Sequence, residues 1–152
     1  MAICVAVIDK DSAPLLIECA LSSSNADERK AEQLRLHFFV HCALDIVDEK
    51  LNPAASSLTS ATRSTELREL YLGALIANED YKAFGYATNT RVKFVLVVGA
   101  GNNVFKDQDV RAIFKRLHSA YCDAIANPFH APGEFLASRA LIDTARDVLV
   151  KS

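Results

Sequence analysis

The run VKFVLVV, from Val92 to Val98, constrains the fold most: Val92 and Phe94 to Val98 are apolar almost without interruption, and Lys93 is the one charge among them. A short run of this kind suits a central strand covered on both faces. The aromatic-rich stretch Tyr81 to Thr88 precedes it. Asn89-Thr90 between the two provides a residue type that tolerates positive φ, so two strands joined by a tight turn are expected. After Val98 the segment GAGNN breaks the strand, and a helix opens at Lys106 or Asp107. Its apolar positions, Val110, Ile113, Phe114, Leu117, Tyr121, Ala124 and Ile125, follow the i, i+3, i+4, i+7 rule of one buried face, and Asn127-Pro128 ends it. A buried strand feeding a one-sided helix sets the core of the domain.

The remaining segments complete the element order. Ile3 to Ile8 and Leu15 to Ala20 read as strands joined by the polar turn Asp9 to Pro14. A helix begins near Asn25 or Asp27, either of which can cap it, and runs to about Leu51, ahead of Asn52-Pro53. The hydroxyl-rich, aperiodic segment Pro53 to Thr65 should be a flexible surface loop. Glu66 to Ile76 contains LYLGALI, a third strand, with helix as the competing reading for Glu66 to Leu70. After the proline-bounded NPFHAPG, a last helix from about Glu134 to Val150 presents Phe135, Ser138, Leu141, Ile142, Ala145, Val148 and Leu149 on one face. The order β-β-α-β-β-β-α-α predicts an α+β, three-layer domain over residues 1–152. Its five-stranded, predominantly antiparallel sheet carries one helix on one face and two on the other.

The first helix is unusual in having apolar residues on two sides. At 100° per residue, Leu36, Val40, Ala43, Leu44, Val47 and Leu51 form the stripe that should face the sheet. Leu34, Phe38, His41, Asp45 and Glu49 lie on the far side, with Asp45 about 150° from the centre of the core stripe. A helix that only covers a sheet is polar there. Two readings stay open: a second, smaller contact surface that includes Leu34, Phe38 and Asp45, or partial cover by the preceding loop.

Chemical motifs are scarce. Composition is that of a globular chain, 51% hydrophobic and 24% charged, and a net charge of −2 with scattered basic residues gives no electrostatic reason to bind nucleic acid or anionic lipid. No stretch approaches 18 uninterrupted apolar residues, and MAICVAVIDK lacks the basic region of a signal peptide. Cys4, Cys19, Cys42 and Cys122 form no CxxC pair and sit in or beside apolar segments, so buried, reduced thiols are expected. VVGAGNNV resembles a dinucleotide loop, but Val104 replaces the third glycine and no ribose-binding acid follows a second strand. A small enzyme or nucleotide-binding protein using Gly99 to Gly101 is therefore the alternative reading, and a plain strand-to-helix turn without nucleotide the favoured one. His37 and His41 are four apart, yet the glutamate of a zinc HExxH and a third ligand are missing. His118 and Cys122 share the same spacing, with Cys122 expected to pack beside Tyr121. Asp48 and Glu49 read as a solvated face. No catalytic residue, cofactor or metal is expected.

Four blocks, HFFVHCALDIVDEK, ELYLGALIANEDYKAFGYATNTRVKFVLVV, DVRAIFKRLHSAYCDAIANPF and PGEFLASRA, resemble in content and order the sedlin family of transport protein particle (TRAPP) subunits, in particular its subunit 2-like branch. The resemblance covers nearly the whole chain and implies a longin-type, SNARE-like domain with the element order given above. It implies a small non-catalytic subunit that assembles with other TRAPP subunits into a vesicle-tethering complex. That complex works in ER-to-Golgi and intra-Golgi transport as exchange factor for Ypt/Rab GTPases, so GTPases and transport vesicles are indirect partners. The expected location is cytoplasmic and peripheral at ER and Golgi membranes. Asp45 matches a family position implicated in partner assembly, which agrees with its place on the outer face. Ser22 to Gln33 and Pro53 to Thr65 depart from the family pattern.

Overall fold

The computed structural model describes residues 2–51, 70–99 and 105–151. Five strands, β1 (Ala2–Ile8), β2 (Pro14–Cys19), β3 (Tyr71–Ala77), β4 (Tyr81–Ala87) and β5 (Lys93–Gly99), form one sheet in the order β2-β1-β5-β4-β3. Every neighbouring pair is antiparallel. From Lys93 onward the run thus forms the central strand, flanked by β1 and β4. Val95 pairs with both Ala6 and Gly85, and Val97 with both Cys4 and Ala83.

Strand alternation divides β5 between two cores. Phe94, Leu96 and Val98 belong with Val5, Val7, Phe84 and Tyr86 to the cluster closed by α2 (Asp107–Ile125) and α3 (Arg139–Lys151). Val95 and Val97 belong with Cys4, Ala6 and Ala83 to the cluster closed by α1 (Ala26–Leu51). One helix covers one face and two cover the other, as the element order predicts.

Lys93 follows the same alternation and points to the α1 side. It is only 3% exposed, and its ammonium pairs with Asp48 in the last turns of α1. Asp48, expected on a solvated face, is half-exposed there and also serves as the counter-charge of a buried cation. A buried charge without such a partner is costly, so this pair ties α1 to the middle of the sheet. Next to it, Lys50 Nζ donates to the carbonyls of Leu72 and Ala74, at 3.1 and 3.2 Å, on the edge strand β3. At the other edge Leu136 N–H donates to Leu15 O of β2 at 2.9 Å. Both edges are thereby partly occupied, which blunts strand-to-strand association.

Several expectations are corrected. Positive φ in the β4–β5 connection falls at Arg91 (φ 65°) rather than at Asn89. Arg91 N–H donates to Thr88 O at 3.0 Å, and Thr88 N–H to Val92 O at 2.9 Å, which describes a three-residue loop ending in a left-handed residue rather than a two-residue turn. The last helix begins at Arg139, not near Glu134. Pro132 and Gly133, the latter at φ 86°, hold the chain in a turn, and Leu136 rather than Phe135 enters the core. Ile125 at the end of α2 is partly exposed instead of buried. The Pro53 to Thr65 loop and residues 66–69 of the competing helical reading lie outside the described residues; Leu70 is a bend ahead of β3.

Candidate partner interface on helix α1

Acidic Asp27 and Glu28 occupy the first turn of α1 and Lys50 its last, which suits the helix dipole at both ends. Ser23 Oγ donates to Glu28 at 2.7 Å, and that contact, with a further one from Asn25, holds the Glu28 carboxyl below its usual range. Leu36, Val40, Ala43, Leu44 and Val47 are buried against the sheet, as the helical wheel predicts, and Leu51 is half-buried.

The opposite side is open. Leu34 is 71% and Phe38 70% exposed, and His41, Asp45 and Glu49 are exposed with them. The helix brings all five onto one stripe, because 34, 38, 41, 45 and 49 follow one another at spacings of three and four. The preceding loop does not cover Leu34 or Phe38, and of the two readings left open by the sequence only the uncovered surface agrees with these exposures. Chemically the stripe offers an apolar end, Leu34 with Phe38, followed toward the C-terminus by an imidazole and two carboxylates. Such a surface offers apolar contact and charge pairing.

Among the described residues no cluster of three or more His, Cys, Asp and Glu suits a metal ion. His37 is half-buried while His41 faces solvent. His118 Nδ1 lies 2.8 Å from Tyr86 Oη inside an aromatic cluster with Phe94, and burial depresses its pKa. Cys122, expected to pack, is exposed, and Cys19 and Cys42 are half-buried, so Cys4 alone matches the expected buried thiol. Gly99 closes β5; the rest of the glycine segment lies outside the described residues.

A second exposed apolar region went unread in the sequence. Ile125, Phe129 and Phe135 are exposed around the connection between α2 and α3, with Phe129 at 93%. The available signal was Ser138, of a type favoured at helix N-caps and standing immediately before Arg139. Placing the helix start there leaves Phe135 in the connection.

The described residues thus build a three-layer α+β domain with a central antiparallel sheet and an uncovered stripe, apolar at one end, on its lone-side helix. The profile of the family described as Sedlin matches residues 7–151, and the chain belongs to the sedlin family. It is 41% identical to a trafficking protein particle complex subunit 2-like protein of Xenopus tropicalis over 150 residues, covering 99% of this chain and 98% of the relative. The Mus musculus protein of the same description is 39% identical over 151 residues, with 99% of each covered. That of Dictyostelium discoideum is 36% identical over 147 residues, covering 97% of this chain and 95% of the relative.

Proposed function

We propose that this chain is a non-catalytic subunit of a TRAPP vesicle-tethering complex, and that the outer stripe of α1 is a surface through which it joins neighbouring subunits. Leu34 and Phe38 form the apolar centre, and His41, Asp45 and Glu49 supply polar contacts. The single observation that carries this reading is the exposure of two large apolar side chains on a helix whose other side is already fully used by the core. End-to-end similarity to complex subunits supports the choice of complex. Through that complex the chain supports exchange on Ypt/Rab GTPases in ER-to-Golgi and intra-Golgi transport. It acts from the cytoplasmic side without spanning the membrane, which agrees with the lack of a long apolar helix among the described residues.

The test is affinity purification of the tagged chain from cytosol, with identification of what co-purifies. Recovery of the other TRAPP subunits in fixed proportion supports the reading. Recovery of the chain alone at physiological ionic strength contradicts it. Thermal stability with added nucleotide checks the alternative, because a ligand at 100 times its Kd stabilises by ~2.7 kcal/mol. No shift is expected.

A further inference from the structure

The sulfurs of Cys4 and Cys19 lie 2.7 Å apart. They belong to directly opposed residues of β1 and β2 in antiparallel register. Ala20 N–H donates to Ile3 O at 2.7 Å, so the adjacent pair is the hydrogen-bonded one and Cys4/Cys19 occupies a non-hydrogen-bonded position. Facing α-carbons at such positions are about 4.5 Å apart, within the range of about 4.4–6.8 Å that disulfides span. Both side chains project to the face covered by α1, where Cys4 is wholly buried and Cys19 half-buried. One thiol of the pair is thus reachable from solvent, and the other is reachable only from the first.

We propose that Cys4 and Cys19 are a redox modification site, closed to an intramolecular disulfide by a small disulfide oxidant such as glutathione disulfide and reopened by thiols. The half-exposed Cys19 thiolate attacks one sulfur of glutathione disulfide, forming a Cys19–glutathione mixed disulfide and releasing one glutathione thiolate. Cys4 gives its proton to that thiolate and attacks Cys19 Sγ. The Cys4–Cys19 bond forms, the sulfur–sulfur bond to glutathione breaks, and the second glutathione leaves, taking up the proton that Cys19 had lost. Two protein thiols are oxidised and one glutathione disulfide is reduced to two glutathiones. The order of attack follows from access, and it agrees with the electrostatics. The Cys4–Cys19 hydrogen bond favours the thiolate at Cys19, lowering its pKa, while that bond and burial raise the pKa of Cys4. Glu18 and Glu32 oppose the thiolate at Cys19 without reversing this direction.

Closing the bridge encloses a loop with a sequence separation of 15 residues at the sheet edge. Cross-linking a loop of that size in a domain of this length should raise Tm by about 6–12 °C. The experiment treats the native full chain with glutathione disulfide, alkylates free thiols, and maps peptides without reduction. The expected result is a Cys4–Cys19 linked peptide pair lighter by two hydrogens, reversed by dithiothreitol, with the rise in Tm. Cys19→Ser should show neither the link nor the rise. Free Cys4 and Cys19 beside glutathionylated Cys42 or Cys122, or a Cys19–glutathione adduct that Cys4 does not resolve, overturns the proposal. Because the peptide map is read on the unmutated chain, it holds whether or not Cys19→Ser folds.

Discussion

Helices α1 and α2 are both amphipathic covers on the same sheet, yet they spend their apolar residues differently. In α2, Val110, Phe114, Leu117, Tyr121 and Ala124 are buried, and the one large exposed apolar residue, Ile125, lies at its last position. In α1, five residues are buried, and two more apolar side chains, Leu34 and Phe38, are left on the opposite side. Apart from Ile125, folding accounts for the large apolar side chains of α2, but for only part of those of α1. That surplus is the observation on which the proposed partner surface of α1 rests.

The same contrast recurs within α1, between two aspartates three residues apart. Asp48 neutralises buried Lys93, whereas Asp45 is exposed on the outer stripe. One carboxylate belongs to stability and the other, on this account, to assembly.

The largest effect should come from the inner side of α2. Phe114 is fully buried and stacks on Tyr86 with ring centroids 5.4 Å apart. Phe114→Ala should cost about 3–5 kcal/mol, read as a lowered midpoint in chemical denaturation. A loss below about 1 kcal/mol would mean that α2 is not committed to the fold and would erase the comparison.

Asp48→Ala comes next. It leaves the Lys93 ammonium buried and unpaired; with Asp48 half-exposed, the cost should fall to the low end of the buried-pair range, about 3 kcal/mol. Replacing both, as Asp48→Ala with Lys93→Met, should recover most of that loss, since removing a whole buried pair is commonly near neutral. Equal destabilisation of the single and double variants would show that the pair is not what anchors α1.

A smaller, pH-dependent effect is expected at His118. Its imidazole is held below the usual pKa by burial beside Tyr86, so the unfolded chain binds the proton more readily. The contribution of His118 is therefore complete above the unfolded value of about 6.5 and is lost as pH falls below it. Denaturation of the unmutated chain and His118→Gln between about pH 5 and about pH 7.5 should show the steeper acid loss in the former. Parallel profiles would remove His118 from the account of the α2 core.

The layers, the central position of β5 and both faces of α1 were legible in the sequence because they depend on hydrophobic period alone. Lys93 was visible as the odd charge in the run, but its partner was not. Asp48 and Lys93 are far apart in the chain, and only the packing of α1 on the sheet brings them together. Phe135 was misplaced because a period of 3.6 fits Phe135 and Ser138 as well as it fits Leu141. The local backbone decides: Gly133 lies in a turn at φ 86° and the helix starts only at Arg139. Arg91 took the left-handed position because the Thr88 to Val92 loop has three residues; in it Thr88 Oγ1 accepts from Val92 N–H at 3.1 Å. The outer stripe was legible as a set of residues on one side of the helix, but its exposure was not, because the wheel cannot say whether the preceding loop folds over Leu34 and Phe38.

The most direct measurement sets stability beside assembly for Asp45→Tyr, the substitution with the least expected effect on the fold. Asp45 is exposed, so the thermal midpoint should correspond to a change of no more than ~0.5 kcal/mol. Incorporation into the complex should weaken by more than tenfold, because a charge that becomes desolvated and paired on binding commonly costs about 2–5 kcal/mol when removed. Phe38→Ala should act in the same direction. If Asp45→Tyr instead loses stability in step with binding, or binds as tightly as the unmutated chain, the outer stripe of α1 is not the partner surface.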